Sequence, residues 1–367
     1  MILWRRLAHS CRWVALQSNR GRLRASGLGS YAQMLGWVVR KYMTEFSVQI
    51  AVHVAWVGKQ KHLELEGIPD DPACHIYVIG KRQKLSIHPN SVQFESGSFR
   101  VVIRRQTGED YEEIAIRGAI QDKRTEGVDQ QYAWHSEYPY EEFRVVDAAS
   151  GALIFGGEVA AFFQDANFLP AEWRAINIVY VGQSLGRKVE RQALDRLVSH
   201  STLQRVYSES SPDEDVWLGL CTIIDTALHF TIDPKAEVST SDEEDDLHIQ
   251  RVHEAMGSSS TFQKKAATAL AEGALISYFD PKYNVLLRGT FPDAKHSILA
   301  ECYELEFQSL MLEFNALEQG IPFASAARRA ATCHYMQLPM HPQDGGVVYV
   351  EELGADFFEQ MTRHYEL

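Results

Sequence analysis

From Phe46 onward the chain alternates with a period of two. Phe46, Val48, Ile50, Val52 and Val54 fall on one face, and Ser47, Gln49 and His53 on the other. That period belongs to a half-buried β-strand and does not suit an amphipathic helix. Similar runs recur at His62–Leu65, Cys74–Ile79, Lys84–Ile87, Val92–Phe94, Phe99–Ile103 and Tyr111–Ile116. Turn-forming clusters separate them, among them Ile68-Pro69-Asp70-Asp71-Pro72 and Thr107-Gly108-Glu109-Asp110. Short strands with closely spaced turns predict a β-rich domain over 45–150, of antiparallel sandwich or barrel type. No catalytic constellation is visible in it. Tyr77-Val78-Ile79-Gly80 is not followed by a helix bearing polar site residues, so this domain reads as an interaction or positioning module.

The first 44 residues are a separate object. They hold eight Arg and Lys, no Asp or Glu, and Trp4, Trp13 and Trp37. Three readings stand: an organelle transit peptide, a start codon placed upstream of Met43, and a basic arm for phosphate or membrane. The upstream start is slightly favoured, because the strand pattern begins directly after Met43. Five scattered cysteines with no Cys-x-x-Cys pair argue against a disulfide framework and point to a reducing, cytoplasmic setting. No apolar run reaches the roughly 18–20 residues that span a bilayer, so no membrane partner is expected.

Chemistry concentrates further along. Ile176–Val181 reads as a strand with Ile176, Ile178 and Tyr180 sharing a face, followed by Gly182-Gln183-Ser184 and Leu185-Gly186-Arg187-Lys188. Val189–Tyr207 reads as a helix on which Arg196 and His200 stand one turn apart on one face. Phe262–Phe279 reads as a second helix, stopped by Asp280-Pro281 and containing Glu272. Asn284 lies twelve residues beyond Glu272.

In their order and spacing these pieces resemble the GIY-YIG endonucleases. The matching residues are Tyr180-Val181-Gly182-Gln183-Ser184, Arg196-x-x-x-His200, Ala271-Glu272-x-x-Leu275-Ile276 and Pro281-x-x-Asn284. The resemblance covers about 177–284, under a third of the chain. The family's first triplet, Gly-Ile-Tyr on the preceding strand, has no visible counterpart; Gly157–Phe163 is the segment expected in its place.

The resemblance implies a catalytic set of Tyr180, Arg196, His200, Glu272 and Asn284. Glu272 would hold a single Mg²⁺ (or Mn²⁺), a hard cation that one or two carboxylates suffice to bind. Arg196 would offer its planar fork to phosphate. Tyr180 would orient or deprotonate the attacking water, with His200 as the competing base, and Asn284 would orient by hydrogen bonding. Gln183, Arg187, Lys188, Arg191 and Lys282 would contact nucleic acid. Each residue also has an ordinary reading: a half-buried tyrosine, solvated helix charges, the polar side of an alanine-rich helix, a turn asparagine.

The charge distribution fits a nucleic-acid partner better than the net charge of −13 does. Arg174–Val206 carries six Arg and Lys against Glu190 and Asp195, whereas Tyr207–Thr261 carries thirteen acids against Lys235 and Arg251. Within this acidic insert (207–261), Val216–Ile224 reads as a third strand of the nuclease-like sheet and Thr240–Asp246 as a solvated loop. Beyond Ile298 come two strand-like runs around Gln308-Ser309, a short helix within Leu317–Ala331, and a strand at Val347–Val350. Cys333-His334 with His341 lacks a second ligand pair, and His334 reads as a surface histidine.

The expected fold is α+β: a β-rich domain (45–150), a GIY-YIG-like small mixed sheet flanked by helices (151–290), and a β-containing C-terminal elaboration (291–367). The expected function is metal-dependent hydrolysis of phosphodiester bonds in DNA. Two alternatives stay open: a catalytically inactive GIY-YIG-derived module that binds nucleic acid or protein, and an RNA-directed nuclease of a toxin or defence system.

Overall fold

The computed structural model describes residues 40–63, 74–95, 98–120, 131–164, 168–184, 201–232, 238–258, 266–293 and 295–340. Within these the chain is a mixed α and β protein in which strands dominate. The strands are β1 (Thr44–Gly58), β2 (Ile76–Gln83), β3 (Leu85–Ile87), β4 (Gln93–Glu95), β5 (Ser98–Thr107), β6 (Asp110–Ala119), β7 (Tyr132–His135) and β8 (Glu142–Asp147). There follow β9 (Leu153–Glu158), β10 (Ile176–Gln183), β11 (Glu214–Ile232), β12 (Ser309–Asn315), β13 (Phe323–Ser325), β14 (Arg328–Ala331) and β15 (Cys333–Pro339). Three helices matter to the argument: α1 (Ser201–Ser208), α2 (Asp242–Ser258) and α3 (Ala267–Phe279). Among the described residues no helix is long and apolar enough to cross a membrane.

One eight-stranded sheet organises the molecule, in the order β14-β13-β10-β2-β11-β1-β12-β15. It takes strands from all three stretches divided on sequence, so the boundaries near 150 and 290 are not boundaries between sheets. Between β2 and β10 the chain leaves this sheet and builds two small ones, β3 to β6 and β7 to β9. Gly157–Phe163, expected beside Tyr180, belongs to this insert: it completes β9, which pairs with β8, and then turns into helix at Val159–Phe162. The strand that pairs with β10 along Tyr180 is β2, carrying Tyr77.

Side chains alternate across the sheet, and the two faces bury different cores. The first contains Val48, Ile50, Val52, Ile76, Val78, Trp217, Leu312 and Phe314, together with α3 and the inner residues of the insert such as Phe99, Val101 and Phe143. The second is smaller and contains Trp56, Tyr77, Ile79, Val216, Leu218 and Leu220 under Leu203 and Val206 of α1. At the seam with the insert, Arg82 is buried and its guanidinium lies 4.1 Å from the centre of the Trp217 ring. Burial lowers its pKa to about 10.

Several expectations are corrected. Thr240–Asp246 is not a solvated loop but the start of α2, held by a capping box. The Glu244 N–H donates to Ser241 Oγ at 3.3 Å, and the Ser241 N–H donates to Glu244 Oε2 at 3.2 Å. Asp245 is buried and accepts from the Thr44 N–H and hydroxyl at 3.1 and 3.2 Å. Tyr303-Leu305-Phe307 is no strand; Ala300–Glu304 is helical, and only the second run forms β12. Leu317–Ala331 is a 3₁₀ turn at Leu317–Gln319 followed by β13 and β14.

His334 is likewise not at the surface. Its neighbours on β15 alternate in and out, and at 4% exposure it faces the first core. Its Nε2 bonds the Phe323 carbonyl at 2.9 Å, so that nitrogen carries the proton, and its Nδ1 accepts from the Tyr278 hydroxyl at 3.2 Å. Burial pushes its pKa down to about 4. His341 and Val347–Val350 lie outside the described residues.

Candidate functional site

The strand bearing Tyr180 is bulged. Ile178 stands opposite Gly80 and Tyr180 opposite Ile79, leaving Val179 as the extra residue. A bulge reverses the in-out alternation beyond it. Ile176 and Ile178 therefore face the first core while Tyr180 packs against the second, not on their face as simple alternation predicts. The Tyr180 ring lies 6.0 Å from that of Tyr77. Gly182 makes room for both: a Cβ there would meet the Tyr77 ring at 2.6 Å and the Tyr180 ring at 2.8 Å.

β13 covers the outer edge of β10 only at Ile176 and Asn177. Beyond that point the segment after α3 takes over. The helix ends at Asp280 in a left-handed conformation (φ 48°), and Pro281 follows. The Tyr283 N–H then donates to the Val179 carbonyl at 3.0 Å. Asn284 uses both ends of its amide on one residue: Oδ1 accepts from the Val181 N–H at 2.9 Å and Nδ2 donates to the Val181 carbonyl at 2.8 Å. Side chain and backbone thus pair with a sheet edge that would otherwise be open. Two motif pieces about a hundred residues apart in sequence meet here, and Asn284 is a positioning residue for the strand of Tyr180.

Next to this contact sits a charged and aromatic cluster. Arg205 on α1 donates from Nε to Glu209 Oε1 at 2.7 Å. Glu209 Oε2 accepts from the Tyr283 hydroxyl at 2.8 Å and from Lys282 Nζ at 3.3 Å. Both cations also lie near the Tyr283 ring, with Arg205 at 5.4 Å and Lys282 at 5.1 Å from its centre. Hydrogen bonds from Arg205, then Tyr283 and Lys282, hold the Glu209 carboxyl down at about 2. Glu209 in turn raises Arg205 and Lys282, while burial first, and then Glu209, raises Tyr283. Lys81 reaches the Glu209 carbonyl at 3.3 Å and Glu214 at 2.9 Å.

Glu272 is carried by a different element. It is half-buried on α3, which packs in the first core, whereas Tyr180 borders the second core on the opposite face of the sheet. It already has an interaction within the fold. No group of three His, Cys, Asp or Glu among the described residues is arranged to hold a metal ion. Glu272 would be the residue to hold the implied Mg²⁺, and it would do so from a helix of the first core, whereas Tyr180 borders the second. Gln183 closes β10 opposite Ile76, and Lys282 is exposed. Arg187, Lys188, Arg191, Arg196 and His200 lie outside the described residues.

Four residues of this neighbourhood escape a motif-based reading: Tyr77, Arg205, Glu209 and Tyr283. Arg205-x-x-x-Glu209 carries the four-residue spacing of a helical ion pair, which would have flagged it. Tyr283 lies inside the Pro281–Asn284 piece. Tyr77-Val78-Ile79-Gly80 is visible but set aside for want of a following helix, because its importance depends on which strand β10 takes as partner.

Compared with family models, curated proteins and solved structures, the chain matches none.

Proposed function

We propose that the chain binds nucleic acid, DNA in the first instance, along the outer edge of β10, as a GIY-YIG-like module that does not cut. The observation that carries this reading is the pair of hydrogen bonds between Asn284 and Val181. It brings the Pro281–Asn284 piece against the Tyr180 strand, beside the exposed cations Arg205 and Lys282. Cations next to aromatic rings suit a phosphate backbone and its bases. The stretch leading into α1, with Arg187, Lys188, Arg191, Arg196 and His200, adds basic residues to the same part of the chain. Phosphate would compete with Glu209 for Arg205 and Lys282, so affinity should fall steeply with salt.

A second reading, the metal-dependent endonuclease, is favoured by one observation. β10, β2 and β11 are antiparallel neighbours with Tyr77 and Tyr180 side by side, which gives the missing hydroxyl of the preceding strand a counterpart. Here Tyr180, Arg196 and His200 would act on the phosphodiester and its water. This reading stands second because its metal ligand would come from α3 of the first core, whereas Tyr180 borders the second.

Gel-shift titration with duplex DNA, single-stranded DNA and RNA, beside plasmid nicking with Mg²⁺ or Mn²⁺, separates the two. Binding without nicking, weakened by Lys282→Ala and Arg205→Ala, is the expected result. Metal-dependent nicking that disappears in Glu272→Ala would establish the nuclease instead. Absence of binding to every nucleic acid would overturn both.

A further inference from the structure

We propose that Val285 and Leu286 form a fixed apolar wedge that enters a base step of duplex nucleic acid; this rests on the nucleic-acid reading above and names how the duplex is held. The two side chains are 85% and 81% exposed, the most exposed aliphatic pair among the described residues that adjoin in sequence. Their exposure is not that of a loose loop. On one side, Asn284 is buried and bonded twice to Val181. On the other, Leu287 packs against the first core in a left-handed conformation (φ 68°). Arg288 then grips Asp280 through both carboxylate oxygens, Nη2 to Oδ2 at 2.8 Å. The Ser277 hydroxyl ties down the Phe291 carbonyl at 2.9 Å.

Two residues therefore protrude between anchors that begin at the very next position on either side. A tip held this way loses little conformational freedom when it inserts. Water has the opposite claim on it, since branched aliphatic side chains this exposed gain from burial. Exposed cations flank the tip in sequence at Lys282 and Arg288, and Arg205 shares Glu209 with Lys282: side-chain exposure is 63% for Arg205, 67% for Lys282 and 40% for Arg288, and these three share two carboxylates, Glu209 and Asp280. Aliphatic residues flanked by cations suit a base step flanked by phosphates. Side chains of this kind unstack a step and kink the duplex, at a cost that the added backbone contacts repay.

The test uses the full chain and a duplex DNA with 2-aminopurine at its centre, reading affinity and fluorescence together. The wild type should bind and raise the fluorescence as the probe base unstacks. Val285→Ser with Leu286→Ser should bind about tenfold more weakly and give no rise at saturation. Its thermal midpoint should match the wild type, because neither side chain contributes to a core. Lys282→Ala should weaken binding yet keep the rise at saturation. Wild-type binding with no rise, or an equal rise in the serine variant, overturns the wedge and leaves the binding reading standing. If the wild type binds no nucleic acid, the binding reading itself fails and the wedge with it. Tip-dependent attachment to anionic phospholipid vesicles in that case would reassign the pair to a membrane surface.

Discussion

Asn284 and Val181 are joined twice, by an acceptor at 2.9 Å and a donor at 2.8 Å, so that one side-chain amide serves β10 as a neighbouring strand would. Asn284→Ala removes both bonds and leaves a buried N–H and a buried carbonyl without partners. At about 1–3 kcal/mol for each group, a loss of about 2–6 kcal/mol is expected. Urea unfolding should show it as a lower midpoint, and Tyr180 should become more accessible to iodination in the native state.

Gly182→Ala tests the packing of the two tyrosines. The new methyl would stand 2.6 Å from the Tyr77 ring, which is fully buried, and 2.8 Å from that of half-buried Tyr180. Overpacking of this sort costs about 1–3 kcal/mol. Because Tyr180 is the freer ring, it should be the one displaced. If Tyr180 contacts nucleic acid, affinity falls along with stability; if affinity is unchanged, Tyr180 is packing alone.

The start of α2 gives a third prediction. Ser241→Ala removes the cap and should cost about 1 kcal/mol. Asp245→Ala should cost more, about 2 kcal/mol, since the buried Thr44 N–H and hydroxyl lose their acceptor. The order of the two thermal midpoints checks the assignment: a solvated acidic loop would leave both unchanged.

Stability should also depend on pH through His334. Its folded pKa of about 4 lies below the ordinary value of 6.5, so the unfolded chain binds the proton more readily. Stability from this group is complete above about pH 6.5 and is lost as the pH falls towards 4. Its size is of the order of 3 kcal/mol. Urea midpoints between pH 4.5 and 7.5 should rise with pH in the wild type and flatten in His334→Gln. Glu209 contributes in a separate window, between the ordinary carboxylate range and about 2.

Local patterns made part of this architecture legible. The alternation from Phe46 marks β1, Ile176–Val181 marks β10, and Asp280-Pro281 marks the end of α3, each because the physical signal lies within a few residues. The Ser241-x-x-Glu244 box was equally local, but the run of acids around it outweighed the cap. What could not be read was choice of partner. The Val179 bulge exists only in the register against Gly80 and Ile79, and with it goes the face on which Tyr180 lies. That α3 and Tyr180 border different cores rests on the same kind of non-local fact, since spacing along the chain does not say which side of a sheet a helix will cover.

The position of β1 in the sheet has a consequence for how the molecule comes to be made. Its two neighbours are β11 and β12, which lie some 160 to 270 residues downstream. The insert, by contrast, is built of hairpins whose partners follow one another closely in sequence. On a ribosome the insert can close its hairpins while β1 still waits, with its apolar face of Phe46, Val48, Ile50, Val52 and Val54 uncovered. Of the described strands β1 emerges first and is among the last to be buried, which leaves this ribbon open to chaperones, and to misassociation, during synthesis.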